Sequence, residues 1–351
     1  MTNDAEFWWI AAAPFFLGAA CVLHFRRLVA RSERTRWPAL LVGNALLLLF
    51  LTSVVLVAFE THLRFFYDAS DGDNRTRVSR RWFERHWTLN SLDLRDDVEY
   101  ALKRTPGRRR ITFVGDSFTA GHGVADVDAR YVNRLRARHP EWELHAIAIP
   151  GLETQSQIEL LSRLLKRGYE LDVVVLAYYL ENIGRWVPEL RRYFERAGQP
   201  LAQPWKFFVD HSYAIDTFFY RAQTRIAYGR GYWSDVYERA YTGPPWEQQK
   251  AAFLRFRKLV VFHGGSFAAL TFPTLTGVAE RRAMVEKVDA FWAASGVPHL
   301  DLLPVLEPHS SRELAANPHD GHPSALAHAL AADAIERFLE ERVLAEASSQ
   351  P

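Results

Sequence analysis

The stretch GDSFTAGHG, residues 115–123, ends an apolar run, ITFV at 111–114, with glycine, aspartate and serine. Such a run predicts a buried strand, and glycine permits a tight turn that a side chain would block. Ligands of open parallel sheets bind beyond the carboxyl ends of the strands. The stretch therefore predicts a nucleophile loop in which Ser117 faces a cleft. The alternative is that Asp116 or Ser117 only caps the next helix.

Outward from this loop, short apolar runs alternate with segments of helical periodicity. Strands are predicted at 111–115, 144–149, 172–179, 266–272 and 299–302. Helices are predicted at 156–166, 248–258, 278–294 and 324–344. Continuous apolar strands separated by helices are typical of a parallel sheet covered on both faces. The pattern predicts an α/β fold within residues 111–346, a three-layer α/β/α arrangement with a mostly parallel sheet.

Residues 184–247 interrupt this alternation with a high density of aromatic side chains. The segment is interpreted as an insertion at the carboxyl edge of the sheet. Two interpretations stay open: a helical subdomain with an aromatic core, or a lid or platform for a sugar, an acyl chain or the membrane surface.

The composition excludes several classes of function. The 351 residues include 43 basic and 41 acidic side chains, for a net charge of +2, so nothing indicates a nucleic-acid partner. The single cysteine, Cys21, excludes an intrachain disulfide and a cysteine-rich zinc site. Hydrophobic residues make up 48% of the chain, enough for a sizeable core, but they are unevenly distributed.

Two stretches near the N-terminus are long and apolar enough to cross a bilayer. Residues 7–25 and 39–59 contain no Asp, Glu, Lys or Arg, and a spanning helix needs about 20 apolar residues. For the first stretch, the alternatives are a buried core helix or a signal peptide, although its acidic start fits a signal peptide poorly. Residues 1–60 are thus predicted as a two-helix transmembrane hairpin. Residues 61–110 are predicted as a polar connector with a turn-rich, mobile part, ASDGDNRTR.

The loop between the two apolar stretches is basic. It carries one glutamate, Glu33, and five arginines: Arg26, Arg27, Arg31, Arg34 and Arg36. Short basic loops stay on the cytoplasmic side. The chain beyond residue 60 is therefore predicted on the extracytoplasmic side of a bacterial inner, or cytoplasmic, membrane.

The far end of the chain supplies the partners that a serine nucleophile needs. A serine hydroxyl reacts when a base takes its proton and a third group orients that base. In HDGHPS, residues 319–324, Asp320 and His322 offer both groups just before the last helix. One alternative is a metal site of His319, Asp320 and His322. The other is a loop that only caps the helix, with Ser324 as the N-cap.

Two further strand ends are predicted to contribute to the same site. Pro150-Gly151 ends the second strand, and Glu181-Asn182 follows the third. A tetrahedral intermediate requires preorganised hydrogen-bond donors for its oxyanion. The N–H groups of Ser117 and Gly151 and the side-chain amide of Asn182 could form such a set, since each lies at the end of a separate predicted strand.

These blocks together resemble the SGNH/GDSL hydrolase family, over residues 90–344. The resemblance rests on GDSFTAG (115–121), the Pro-Gly of AIAIPGLETQ (146–155), YYLENI (178–183) and DGHPS (320–324). TLNSLDLRD (88–96) is similar to a segment that bacterial members often carry upstream. The resemblance implies that Ser117 is the nucleophile and that Asp320 and His322 complete the triad. It implies that Gly151 and Asn182 help to bind the oxyanion.

The sequence departs from the family pattern in two blocks. The third block is commonly Gly-x-Asn-Asp, and a strict register would place Glu181 at the asparagine's position. A glutamate would repel an oxyanion, so Asn182 is preferred, although both residues remain candidates. The last block is Asp-x-His rather than Asp-x-x-His, a spacing also found in members that resemble polysaccharide O-acetyltransferases. His328, six residues beyond His322, is interpreted as structural.

The sequence thus predicts a membrane-anchored serine esterase that cleaves an acyl ester on a cell-envelope glycan or lipid, with neither a metal nor an organic cofactor. One alternative is an O-acyltransferase, such as an O-acetyltransferase for an extracytoplasmic polysaccharide, in which a sugar hydroxyl replaces water. The other is a non-catalytic envelope assembly factor that keeps the fold. The expected partners are the acylated substrate and the membrane.

Overall fold

The computed structural model of the chain describes residues 5–30, 37–197, 201–227 and 232–345, so Arg31, Arg34 and Arg36 of the basic loop lie outside the described residues. The strands are β1 Arg109–Gly115, β2 Trp142–Ala148, β3 Val173–Tyr179, β4 Ser266–Phe272, β5 His299–Asp301, β6 Ala315–Asn317 and β7 Asp320–Pro323. The α-helices are α1 Ala5–Ala30, α2 Trp37–Thr61, α3 Arg77–His86, α4 Ser117–Ala120, α5 Tyr131–Arg138, α6 Thr154–Lys166, α7 Pro188–Ala197, α8 Trp205–His211, α9 Tyr213–Ala227, α10 Tyr232–Ala240, α11 Pro244–Phe262, α12 Arg282–Ala294, α13 Leu303–Leu306, α14 Ser311–Leu314 and α15 Ala325–Phe338. Short 3₁₀ turns lie at Val127–Ala129, Leu180–Trp186 and Ala279–Arg281, and π-helical turns lie at His62–Phe66 and Leu339–Leu344.

Strands β1 to β5 form one sheet in the order β2-β1-β3-β4-β5, and every neighbouring pair is parallel. The first four strands are buried over nearly their whole length, which explains their mainly apolar sequences. Because crossovers between parallel strands are right-handed, this strand order puts α5 on one face of the sheet and α6, α11 and α12 on the other. Helix α15 packs with α5, and α11 packs with α6. The predicted α/β fold with a parallel sheet and all five predicted strands is confirmed.

The strand order places the candidate site. From β1 the chain moves outward to β2 and then returns to β3 on the other side of β1. Such a change of direction opens a crevice at the carboxyl ends of the strands. Ser117 follows β1, Gly151 follows β2 and Asn182 follows β3. The topology therefore brings all three segments to one edge of the sheet.

A second, two-stranded antiparallel sheet carries Asp320 and His322. Strand β6 pairs Ala315 with Pro323 of β7 and Asn317 with Asp320. The sequence predicted only a loop here. Strands of three and four residues are too short and too polar for their alternation to be recognised.

The chain divides into two compact units. The first comprises residues 1–69, 75–81 and 200–227, and the second comprises 70–74, 82–199 and 228–351. The division differs from the predicted succession of hairpin, connector and catalytic domain. The reason is that parts of the connector and of the aromatic insertion pack with the two N-terminal helices.

In the first unit, α1 and α2 pack against each other as a two-helix hairpin. The segments Ala5–Leu28 and Trp37–Phe66 are long and apolar enough to cross a membrane, and only 6% of each apolar window is buried within the protein. Their side chains therefore present apolar surface that the described part of the chain does not cover.

Glu60, at the end of α2, joins these helices to the aromatic segment. It is fully buried and accepts hydrogen bonds from Ser212 Oγ at 2.8 Å, Tyr213 N–H at 3.1 Å and Ala214 N–H at 2.9 Å. A carboxylate is stabilised by the N–H groups at the start of a helix. Residues 205–227 thus form helices α8 and α9 in the unit of α1 and α2, which agrees with the interpretation of the insertion as helical.

Candidate active site

The loop after β1 is shaped by Gly115. A Cβ at this position would lie 2.2 Å from Thr119 Oγ1, so only glycine lets the short helix α4 fold back onto the strand end. Asp116 caps α4 by accepting a hydrogen bond from the Phe118 N–H at 2.9 Å. The capping role therefore belongs to Asp116, and Ser117 is not needed for it. Burial raises the pKa of Asp116 to about 6, against the opposing effect of the Phe118 N–H.

Asp320 and His322 form a hydrogen-bonded pair on β7. Residues two apart on a strand share a face, which is why the short Asp-x-His spacing brings the two side chains together. His322 Nδ1 lies 2.5 Å from Asp320 Oδ1, which also accepts the His322 backbone N–H at 3.1 Å. Burial opposes charge on the imidazole, but the Asp320 carboxylate outweighs it and raises the pKa of His322. Burial alone would raise the pKa of Asp320, whereas the imidazole lowers it.

The nucleophile loop and the hairpin meet. Helix α4 packs against β7, and the Phe118 ring lies 5.7 Å from the His322 ring. Gly123, at φ 95°, allows this approach, because a Cβ there would lie 2.5 Å from Ala316 Cβ. Within the described part of the chain, no direct hydrogen bond joins Ser117 Oγ to the imidazole.

The third block places Asn182 and Glu181 in different surroundings. Asn182 is buried, and its Nδ2 makes no hydrogen bond of good geometry among the described residues, although its amide lies close enough to the Asp116 carboxylate to lower the pKa of that group. Glu181 instead accepts a hydrogen bond from Thr274 Oγ1 at 3.4 Å, and burial raises its pKa. Gly151 is exposed in a turn at φ 80°, and a Cβ there would meet nothing within 4 Å. Asn182 is therefore the residue of the two with an unused donor.

His122 is a member of the site that the sequence analysis missed. Its ring is stacked on that of His322, with centroids 3.8 Å apart and planes 9° apart. Its Nε2 lies 2.9 Å from the Asp71 carbonyl oxygen and 3.5 Å from Asp320 Oδ2. Burial, reinforced by the charge of His322, lowers the pKa of His122 to about 3, so this ring is neutral at neutral pH. A histidine between two glycines beside the nucleophile was the signal available in the sequence.

A cation could be held by His122, Asp320 and His322, whose donor atoms lie within 4.8 Å of one another. This set differs from the predicted alternative, because His319 is exposed on the turn of the hairpin. Imidazole and carboxylate ligands suit zinc. However, His322 Nδ1 is already bonded to Asp320, so a metal at that atom would break the pair.

The upstream segment TLNSLDLRD holds the nucleophile loop in place through hydrogen bonds to its backbone carbonyl groups. The buried Arg95 guanidinium donates to the carbonyl oxygens of Gly121 and, at 2.7 Å, Val124. The neighbouring Asp96 accepts a hydrogen bond from Arg130 at 2.7 Å. Residues 95 and 96 are therefore structural supports of the site, a role that the sequence alone did not indicate.

His328 lies on α15 and is fully buried. Neither of its ring nitrogens has a hydrogen-bond partner among the described residues, and burial lowers its pKa to about 3. Its ring lies 5.9 Å from that of Tyr131 in the core. These surroundings support the structural role that was predicted for it.

No protein-family profile and no curated protein matches the chain. Among solved structures, it is similar to phospholipase A1 from Streptomyces albidoflavus NA297, with 10% identity, a TM-score of 0.43, and coverage of 67% of this chain and 100% of that one. It is also similar to a member of the lipolytic protein G-D-S-L family from Veillonella parvula DSM 2008 (12% identity, TM-score 0.40, 68% and 98% coverage). A lipase/acylhydrolase from Enterococcus faecalis is a third (14% identity, TM-score 0.38, 67% and 96% coverage).

Proposed function

We propose that the chain is a serine hydrolase that acts on acyl esters through Ser117, His322 and Asp320. The observation that carries the proposal is the Asp320–His322 pair, bonded at 2.5 Å on a hairpin that packs against the helix bearing Ser117. Contacts between a nucleophile and its base are often loose before substrate binds. We expect the contact from Ser117 Oγ to His322 Nε2 to close in the substrate complex.

The first half of the reaction forms an acyl-enzyme. His322 Nε2 takes the proton of Ser117, and Ser117 Oγ attacks the ester carbonyl carbon. Asp320 stabilises the imidazolium, which is consistent with the raised pKa of His322. The tetrahedral intermediate then collapses, and the alcohol leaves with the proton from His322. Water repeats the sequence in the second half and releases the acid.

The oxyanion of the intermediate needs donors that are in place beforehand. Three are proposed: the N–H groups of Ser117 and Gly151 and Asn182 Nδ2. The unpartnered Nδ2 of Asn182 supports this role, because a buried donor without an acceptor is costly unless a ligand uses it. Glu181, which faces Thr274, takes no part.

The apolar helices α1 and α2 support attachment to a membrane, and the basic loop between them supports an extracytoplasmic position for the rest of the chain. The proposed substrate is accordingly an acyl ester on a cell-envelope glycan or lipid. Alkaline phosphatase fused to the C-terminus is active only after export. An active fusion is expected, and an inactive but stable fusion would reverse the orientation.

A fluorophosphonate probe tests the chemistry directly, because it reacts with an activated serine. The full-length wild type is expected to be labelled and Ser117→Ala to be unlabelled. Ser162→Ala is the matched control, since the hydroxyl of Ser162 on α6 donates to Ile158 O of its own helix and is far in the sequence from the proposed triad. A wild type that folds but is never labelled would favour the non-catalytic assembly factor.

A second assay separates hydrolysis from transfer. Acetate release from p-nitrophenyl acetate is followed with and without an oligosaccharide acceptor. Acetate as the main product in both cases supports the esterase. Acetylated oligosaccharide at the expense of acetate would establish the O-acyltransferase instead.

A further inference from the structure

Residues 70–74 reach the candidate active site from a segment that the sequence presented as a mobile connector. They belong to the second unit, although residues 1–69 and 75–81 on either side belong to the first. Ser70 is buried, and its Oγ donates a hydrogen bond to Asp320 Oδ2. Both oxygens of Asp320 are therefore engaged, Oδ1 by His322 and Oδ2 by Ser70.

The backbone of this segment is tied to the β6–β7 hairpin as well. Asn317 Nδ2 donates to the Ser70 carbonyl oxygen at 3.0 Å, and the Gly72 N–H donates to the His319 carbonyl oxygen at 3.3 Å. Both bonds reach residues that come just before Asp320 in the sequence. The Ser70 hydroxyl is thus held at a set position relative to the carboxylate.

The same segment orders the ring that covers His322. Since the Asp71 carbonyl oxygen can only accept, His122 Nε2 carries the proton of their 2.9 Å hydrogen bond. Phe83 meets the His122 ring edge to face at 4.9 Å. His122 is therefore fixed against one face of His322, and the imidazole cannot tilt toward that side.

We propose that Ser70 is a positioning residue for the Asp320–His322 pair. A carboxylate bonded only through Oδ1 can turn about its Cβ–Cγ bond and exchange its two oxygens. A donor held on Oδ2 prevents this turn and keeps Oδ1 on His322 Nδ1. The inference rests on the proposed function, in which His322 is the base. Ser70 would hold that base in place through Asp320, although Ser70 itself lies outside both sheets.

The test compares three full-length variants, Ser70→Ala, Ser70→Thr and Ser91→Ala. Ser91 is the matched control, because it lies farther along the same connector and donates to the carboxylate of Glu99, but at the surface. Ser70→Ala is expected to lower kcat about 10-fold, the effect of one hydrogen bond to a charged group, with KM unchanged. Ser70→Thr keeps the hydroxyl and is expected to restore most of the rate, while Ser91→Ala behaves as wild type.

A proton NMR measurement gives a readout that does not depend on turnover. The proton between His322 Nδ1 and Asp320 is expected to give a strongly low-field signal, identified by its loss in His322→Gln. Ser70→Ala should shift or broaden this signal, and Ser70→Thr and Ser91→Ala should not. An unchanged signal in Ser70→Ala, with unchanged kcat, would overturn the proposal.

The two readouts also separate this inference from the proposed function. A wild type without esterase activity would refute the hydrolase, while the low-field signal would still report on the role of Ser70. Loss of rate in Ser70→Ala with the same loss in Ser91→Ala would indicate general destabilisation of the connector, and the positioning role would then be rejected.

Discussion

Two buried aspartates in the second unit have contrasting partners. Asp96 and Asp320 are each 1% exposed. Asp96 accepts hydrogen bonds from Arg130 at 2.7 Å and Arg136 at 2.8 Å. Asp320 accepts hydrogen bonds from His322 and Ser70. The first carboxylate therefore faces permanent cations, and the second faces a ring that gains and loses a proton near neutral pH.

This difference shows how one residue type serves structure in one place and chemistry in another. Burial would raise the pKa of either carboxyl group, and in both cases the partners lower it instead. At Asp96 the partners are arginines, whose charge does not change, so this network has a structural role only. Arg130 extends the network by donating a hydrogen bond to the Arg95 carbonyl oxygen at 2.8 Å. At Asp320 the partner can transfer its proton to a substrate. The nature of the cation, rather than the depth of burial, separates the two roles.

The largest expected effect is on the rate of Asp320→Asn. Without the carboxylate, His322 loses its orientation and the stabilisation of its charged form, and the labelling rate by a fluorophosphonate should fall by about 10⁴-fold. The fold should persist, because an amide fills the same volume. Single-turnover labelling measures the rate, and circular dichroism monitors the fold. A loss of less than tenfold would remove Asp320 from the triad.

Asp96→Asn should show the opposite pattern. Removing this charge leaves the fully buried Arg130 and the partly exposed Arg136 without their carboxylate partner, which costs about 3–5 kcal/mol of unfolding free energy. The labelling rate per folded molecule should stay close to that of the wild type at low temperature. Urea unfolding followed by tryptophan fluorescence measures the stability. If Asp96→Asn were as stable as the wild type yet unreactive, the distinction between the two aspartates would fail.

The next largest expected effect is the loss of kcat on removal of the side-chain oxyanion donor. Asn182→Ala removes an unpartnered Nδ2 and should lower kcat by about 10²-fold with little change in KM. Glu181→Gln is the matched control, because it changes the neighbouring side chain, which faces Thr274, and should leave kcat within about twofold of the wild type. Steady-state hydrolysis of a p-nitrophenyl ester measures both variants. A larger loss in Glu181→Gln than in Asn182→Ala would exchange their proposed roles.

The sheet and the motif residues could be predicted because their signals are local. The runs at 111–115, 144–149, 172–179 and 266–272 coincide with β1 to β4 to within about two residues, and burial on both faces leaves that pattern in the sequence. The short strand β5 is only partly buried, and its run at 299–302 contains His299 and Asp301. Ser117, Asp320 and His322 lie in short blocks next to strand or helix ends. The α/β fold was accessible in this way, and so were the residues proposed for the triad, whereas His122 was not.

The supports of the site could not be predicted, because they depend on contacts between distant segments. Ser70 lies in a polar, turn-rich stretch, yet its hydroxyl meets a carboxylate 250 positions away. Arg95 looks like any charged residue until its guanidinium is found buried on the carbonyl groups of the nucleophile loop. Local composition describes such segments as solvated connectors. Only the three-dimensional packing shows which of their polar groups form hydrogen bonds to distant protein groups instead of to water.

The smallest expected effect is a shift in the pH midpoint of the labelling rate, which should occur on mutation of Asp320 but not of Asp96. Because Asp320 raises the pKa of His322, the neutral base needed for attack should form with a midpoint above the ordinary value of about 6.5. In Asp320→Asn burial is opposed only by the weaker effects of Asp116 and Asp73, so the midpoint should move to lower pH. Asp96→Asn should leave the midpoint where it is in the wild type.

The pKa shifts of His322 and Asp96 make stability depend on pH in opposite senses. The raised pKa of His322 means that its charged form stabilises the fold below about pH 6.5, and this contribution is lost as pH rises through the higher folded value. The lowered pKa of Asp96 means a contribution that is present above about pH 4 and lost in acid. Unfolding free energies from pH 3 to pH 9 measure both. If Asp320→Asn left the labelling midpoint unchanged, the imidazole would not be coupled to that carboxylate, and the contrast with Asp96 would no longer hold.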